Sequence, residues 1–234
     1  MTQLQVSVVT GIPRVESGDD LADLLVAHVD DLRGGDIVVV SSKVVSKAEG
    51  RAVAGLPRSS VVDLETQEVV ARRGDLTIAR TRHGLVLAAA GVDVSTVEPG
   101  VVLPLPLDPD ESARRLRHRI GALTGLTIGV VVSDTAGRPW RLGQTDIAIG
   151  LAGVAPVDDL SGSRDYFGNQ LHVTAPAVAD EIAGAAELVM RKAAGTPFAV
   201  VRGLDRLVTA GDGPGAAALV RPPEADLFPS GTFD

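Results

Sequence analysis

Thr127-Ile128-Gly129-Val130-Val131-Val132 is an apolar run without polar alternation that passes through Ser133 into Asp134-Thr135. Such a run reads as a strand covered on both faces, the pattern of a sheet packed between helices. Ile37-Val38-Val39-Val40, entered from Gly34-Gly35, reads the same way. So do Leu85-Val86-Leu87-Ala88-Ala89-Ala90 and Phe198-Ala199-Val200-Val201. Helical patterns lie between these runs, so the chain is expected to be α/β.

Three helices are signalled. Asp19 or Asp20 caps a segment with Leu21, Leu24, Leu25, His28 and Leu32 on one face, and Gly34-Gly35 is expected to end it. Asp108, Pro109 and Glu111 form a capping-box pattern ahead of Ala113, Leu116, Ile120 and Leu123. Ala177 to Ala193 carries an apolar stripe of Val178, Ile182, Ala185, Ala186 and Val189. Pro104, Pro106 and Pro109 mark a stiff, extended passage into the second helix. The segment from Gly211 onward is turn-rich, and Pro229 to Asp234 are expected to fray.

Composition narrows the function. The 234 residues carry 22 basic and 30 acidic side chains, a net charge of −8, opposite to what a nonspecific nucleic-acid binder needs. Aromatic residues are 3%, too few for base-stacking platforms. The absence of cysteine excludes disulfides, thiolate metal sites and cysteine nucleophiles. No apolar run approaches the roughly 20 residues that span a bilayer, and no secretory signal is visible, so neither nucleic acid nor membrane is an expected partner. A cytoplasmic protein acting on a small molecule is expected. No G-x-x-x-x-G-K-[ST] loop, G-x-S-x-G elbow or H-E-x-x-H helix occurs. With Asn169 the only asparagine, an N-K-x-D guanine motif is impossible. His28, His83, His118 and His172 lack metal-ligand spacing, and His28 reads as a core or boundary side chain.

What remains is a set of carboxylates after buried runs. Residues 85 to 90 lead through Gly91-Val92 into Asp93, and residues 127 to 132 lead into Asp134-Thr135. Ligands of open α/β folds lie beyond the carboxyl ends of strands. Two aspartates there suit a hard divalent cation, with further positions left for water and phosphate oxygens; turn or cap roles suit them equally. Ser42, Lys43 and Lys47 follow another buried run and could hold a polyphosphate without a Walker loop, or be surface groups. The segment Asp134 to Asp146 holds two carboxylates, two guanidiniums and the only tryptophan. Arg138 and Arg141 suit bidentate recognition of phosphate or carboxylate; the plainer reading is a hairpin with solvated charges. Arg114, Arg115, Arg117 and Arg119 read as a solvated helix face, and Glu181 and Glu187 as surface acids.

Read together, these segments resemble the coenzyme F420-0:L-glutamate ligase family. The likeness runs from Gly11-Ile12-Pro13 and Gly18-Asp19-Asp20-Leu21 through Ser42 to Arg51, Ala90 to Asp93 and Leu107 to Asp110. It is strongest from Ser133-Asp134-Thr135 through Gly137-Arg138-Pro139-Trp140-Arg141 to Gly143-Gln144-Thr145-Asp146. It continues through Asp165 to Asn169, Val178 to Ile182 and Val201-Arg202-Gly203. The resemblance implies a GTP-dependent ligase that adds L-glutamate through γ-linkages to coenzyme F420-0 by way of an acyl phosphate. Carried over by position, Asp93, Asp134 and Thr135 match the metal ligands, for Mg²⁺ or Mn²⁺, with K⁺ as a further candidate ion. Ile12, Pro13, Arg14, Val15, Ser42, Lys43, Lys47, Thr96, Met190 and Lys192 match or neighbour the GTP contacts. Asp93, Asp134, Arg138 and Arg141 are the candidate catalytic residues.

The expected fold is mixed α/β, with two intimately associated subdomains within one ligase domain over residues 1–234 and a non-Walker nucleotide site. The family also implies a homodimer. Some relatives carry a following flavin reductase domain, which is not expected here. This chain departs from the family pattern at Thr96, where asparagine is common, and at Arg191, where glycine is common. The part between Arg51 and Leu85 is expected to have a reduced or absent helical piece. Two other readings stay open: an amide ligase with a different acidic acceptor, and a nucleotide-binding module without catalysis.

Overall fold

The computed structural model describes residues 3–228; the expected fraying of Pro229 to Asp234 falls outside them. Strands and helices follow in the order β1 (Gln5–Val9), α1 (Leu21–His28), β2 (Ile37–Ser41), α2 (Ser42–Ala48), β3 (Val53–Ala54), α3 (Arg58–Glu65), β4 (Thr66–Arg73) and β5 (Leu76–Thr81). Then come β6 (Val86–Ala88), β7 (Val101–Val102), α4 (Pro109–Thr124), β8 (Gly129–Gly137), β9 (Gln144–Ala152), α5 (Val178–Met190) and β10 (Phe198–Arg202). The mixed α/β class is as expected. The main sheet has the order β1-β10-β2-β8-β9, with β3-β7 and β4-β5-β6 as smaller sheets.

The main sheet is covered on both faces. Val38, Val40, Val130 and Val132 pack with Leu25 of α1 and Leu116 and Ile120 of α4. Ile37, Val39 and Val131 point the other way, against Ile182, Ala183 and Ala186 of α5. Successive side chains alternate between two apolar layers, which is why these runs lack polar residues. Only β2 and β8 are parallel; the other pairs in this sheet are antiparallel.

Several expectations need correction. The run from 85 to 90 is not a strand covered on both faces. Its strand is confined to Val86–Ala88 in a separate antiparallel sheet, with Val86 and Ala88 exposed. Ala89–Gly91 then turns as a 3-10 segment, with Ala89 and Ala90 at φ +50° and +51°. Helix α1 ends at His28 instead of at the glycines. Asp31 is drawn away by Arg33 and Arg202, while Gly35 at φ +87° makes the turn into β2. Helix α5 stops at Met190, whose carbonyl accepts from Thr196 Oγ1 at 2.5 Å. Between Arg51 and Leu85 the helical piece is not absent: the eight-residue α3 is there, followed by the β4-β5 hairpin.

Asp108 caps α4 by accepting from the Glu111 backbone N–H at 2.9 Å, with Pro109 next. Glu111 binds Arg114 and Arg115 instead of reaching back, and Arg119 reaches Asp20, which caps α1, and Asp23 within it. Arg117 departs from the solvated-face reading. It is buried and donates to the Ile128 carbonyl at 2.8 Å, to Asp212 Oδ1 at 2.6 Å and to the Thr209 carbonyl at 2.7 Å. Gly153 is required beside it, because a Cβ there would strike the guanidinium. Arg117 thus ties the segment after β10 to the sheet. Arg117→Met leaves these acceptors without their buried donor and is expected to lower stability by roughly 2–4 kcal/mol in urea unfolding. An unchanged midpoint would show that the tie contributes nothing.

Candidate functional site

The parallel register of β2 and β8 places Ser41 opposite Ser133. Each strand then turns its next residues toward the same cleft. After Ser41 the chain enters α2, where Lys43 and Lys47, four residues apart, share the cleft-facing side. After Ser133 the chain stays in β8. The expectation that Asp134 sits at a strand end is therefore corrected: β9 pairing extends β8 to Gly137, with a register shift between Val132 and Ser133. Such an irregularity re-aims side chains within a strand.

The cleft has a volume of about 370 Å³. Its walls include Ile12, Pro13, Arg14 and Val15 from the loop after β1, and Lys43 and Lys47 from α2. Thr96 comes from the loop before β7, Asp134 and Thr135 from β8, and Met190 and Lys192 from the end of α5. Ser42 lies behind the wall, its Oγ donating to Asp134 Oδ1 at 2.7 Å. Asp93 also stands behind it, its Oδ2 3.0 Å from Lys43 Nζ. Most residues selected from sequence thus come together. Arg138 and Arg141 do not join them; they lie exposed in the β8-β9 turn, where Arg138 binds the Leu142 carbonyl. The plainer hairpin reading describes the turn that carries the two arginines, whereas the segment's two carboxylates, Asp134 and Asp146, are buried and line the cleft.

Several of the cleft's charges are held in pairs, Lys43 with Asp93, Lys192 with Asp146 and Arg14 with Glu98. Burial works against the Lys43 ammonium, but Asp134, Asp93 and Asp146 outweigh it and raise its pKa. Burial pushes the Asp134 carboxyl up, only partly opposed by Lys43 and Ser42. Lys47 is lowered by burial and by the neighbouring Arg14 and Lys43 cations. Its Nζ donates to the Thr96 carbonyl at 2.6 Å. Arg14 pairs with Glu98 at 3.1 Å.

Asp93 is the most heavily bonded carboxylate. Oδ1 accepts from the Val94 and Ser95 backbone N–H groups at 2.6 and 2.7 Å, and Oδ2 from Ser95 Oγ at 2.7 Å. Burial raises this carboxyl, yet the Ser95 bonds and Lys43 bring it down to about 2.

Sequence reading missed Asp146 and Glu187 as cleft residues. Asp146 lies opposite Thr135 across the hairpin, buried, and accepts from Thr135 Oγ1 at 3.0 Å and from Lys192. The signal was present: a strand pair closing at Arg138 to Gly143 brings Thr135 and Asp146 together. Glu187 lines the cleft, 3.8 Å from Lys192, and is not the plain surface acid expected. Thr96 and Arg191, the positions that depart from the family pattern, both carry left-handed φ, +58° and +55°. Asparagine and glycine tolerate such backbone; threonine and arginine hold it under strain.

The donor set is all oxygen, which suits a hard divalent ion. Among the described residues no three acidic or imidazole side chains group closely enough to cage a metal alone. Aspartates with a threonine hydroxyl leave positions for water and phosphate, as Mg²⁺ sites commonly do.

A family model described as F420-0:Gamma-glutamyl ligase matches residues 10–57 and 56–203. The chain is 38% identical over 244 residues to the coenzyme F420:L-glutamate ligase of Methanothermobacter thermautotrophicus, covering 94% of this chain and 96% of that protein. It is 41% identical to the protein of that name from Methanopyrus kandleri, covering 92% and 93%, and 41% identical to that of Archaeoglobus fulgidus, covering 90% and 91%.

The bonding at Asp93 sets a pH expectation. A carboxyl held near 2 contributes stability that is complete above about pH 4 and lost as the pH falls toward 2. Carbon-13 NMR of the protein free of divalent ions should place the Asp93 midpoint near 2, and Ser95→Ala should move it upward. An unmoved midpoint would remove Ser95 as a cause.

Proposed function

The chain belongs to the F420-0:gamma-glutamyl ligase family, and from that premise we propose that it is a GTP-dependent ligase joining L-glutamate to coenzyme F420-0. The observation that carries this reading is the Lys43 ammonium, ion-paired with Asp93 behind the wall and within the field of Asp134, in a cleft lined by Arg14, Lys47 and Lys192. Such a site can hold a triphosphate by its cations and a divalent ion by its carboxylates.

In the proposed mechanism Lys43 and Lys47 hold the phosphates, and Arg14 closes over them from the opposite loop. Asp93, Asp134 and Thr135 would hold Mg²⁺ or Mn²⁺. When bound, the ion supplies charge neutralisation at the transferring phosphoryl group. The acceptor carboxylate attacks the γ-phosphorus, giving an acyl phosphate and GDP. The neutral amine of glutamate then attacks the acyl carbon; the C–N bond forms, the bond to phosphate breaks, and a proton leaves the amine. Positioning of the three reactants by the walls supplies much of the rate. The proposal includes action as a homodimer in the cytoplasm. No helix among the described residues is long and apolar enough to cross a membrane.

Labelled glutamate, GTP and F420-0 with Mg²⁺ or Mn²⁺ should yield labelled F420 and stoichiometric GDP. Asp93→Asn or Asp134→Asn should lower that rate on the order of a hundredfold or more, with circular dichroism unchanged. Wild-type turnover in either variant would contradict the metal assignment. Labelling of a folate-type acceptor instead would favour another amide ligase. GTP binding without GDP release in the complete mixture would favour a module without catalysis.

A further inference from the structure

At the end of α5 the backbone turns sharply. Arg191, at φ +55° and ψ 141°, leaves the helix and sends Lys192 back over the sheet. Lys192 Nζ donates to Thr135 Oγ1 at 2.6 Å and pairs with Asp146 Oδ1; Glu187 Oε1 lies 3.8 Å away. Oxygens from β8, β9 and α5 therefore surround one ammonium. The two partners differ in freedom. The Asp146 side chain is 8% exposed and fixed in β9, also accepting from Ser133 Oγ at 3.4 Å, whereas the Lys192 side chain is 50% exposed on a flexible stem. A buried carboxylate without a counter-ion is costly, so a cation beside Asp146 is favoured whether or not the cleft is loaded.

We propose that Lys192 is an exchangeable internal counter-ion. In the empty cleft it neutralises Asp146 and occupies Thr135. A divalent cation taken up beside Thr135 displaces it, and the freed ammonium pairs with the nucleotide phosphates. Cation and nucleotide then bind with positive coupling carried by this lysine, because each removes a cost that the other would meet alone. The inference rests on the proposed reading of the cleft as a site for a divalent ion and a nucleotide.

Its test is a Mn²⁺ titration of the full chain, followed by electron paramagnetic resonance of free Mn²⁺, with and without GDP. The wild type should bind Mn²⁺ more tightly with GDP present. Lys192→Met, checked for native circular dichroism, should bind Mn²⁺ alone about fivefold or more tighter than wild type, bind GDP alone more weakly, and lose most of the gain from GDP. A Lys192→Met protein whose affinity for Mn²⁺ alone is equal or weaker would overturn the exchange while leaving the parent reading intact. Wild type that binds no Mn²⁺ even with GDP would overturn the parent reading itself.

Discussion

Five residues of β2 run parallel to five of β8, from Ile37 beside Gly129 to Ser41 beside Ser133, and much of the cleft takes its position from that pairing. The strands are apolar on both sides because helices cover both faces. Where the apolar residues stop, hydroxyls, lysines and carboxylates begin at the same level on both strands. The sheet thus delivers Ser42 and Lys43 to Asp134 without a glycine-rich phosphate loop. The loop from Asp93 is fastened to the same point by Lys43.

Electrostatics follow from that convergence. Three carboxylates, Asp93, Asp134 and Asp146, raise the affinity of Lys43 for its proton against the cost of burial. Lys192 does for Asp146 what Lys43 does for Asp93. In the free protein Asp93 and Asp146 are paired with the chain's own lysines and Asp134 is held by the Ser42 hydroxyl, so a loaded cleft must re-pair the two ion pairs. Left-handed backbone at Thr96 and Arg191 supports the arrangement, aiming a carbonyl at Lys47 in one case and turning Lys192 inward in the other. Strain of this kind persists only where surrounding contacts hold it.

Local patterns in the chain were legible. β2, the start of β8, β10 and the Asp108-Pro109 start of α4 are written in contiguous residues, and the chain folds there as read. Asp93 and Asp134 stand out both as carboxylates after apolar runs and by family resemblance, and Thr135 by the resemblance. What was hidden depends on pairing between distant residues. β9 gave little warning, because its polar start, Gln144 to Asp146, reads as loop until it is set against β8. Asp146 was hidden with it. Arg117 looked like one of several solvated arginines; only the return of residues 209 to 212 shows where its guanidinium goes. The run at 85 to 90 misled, since composition alone does not tell a strand covered on both faces from a short one at the margin of a small sheet.

The most direct test is a crystal of the chain grown with Mn²⁺ and GDP, with the ion located by its anomalous scattering. The expected result is a Mn²⁺ peak bounded by the carboxylates of Asp93 and Asp134, with the diphosphate reaching toward Lys43 and Lys47. A peak elsewhere, with Lys43 still paired to Asp93 and the nucleotide outside the cleft, would contradict it.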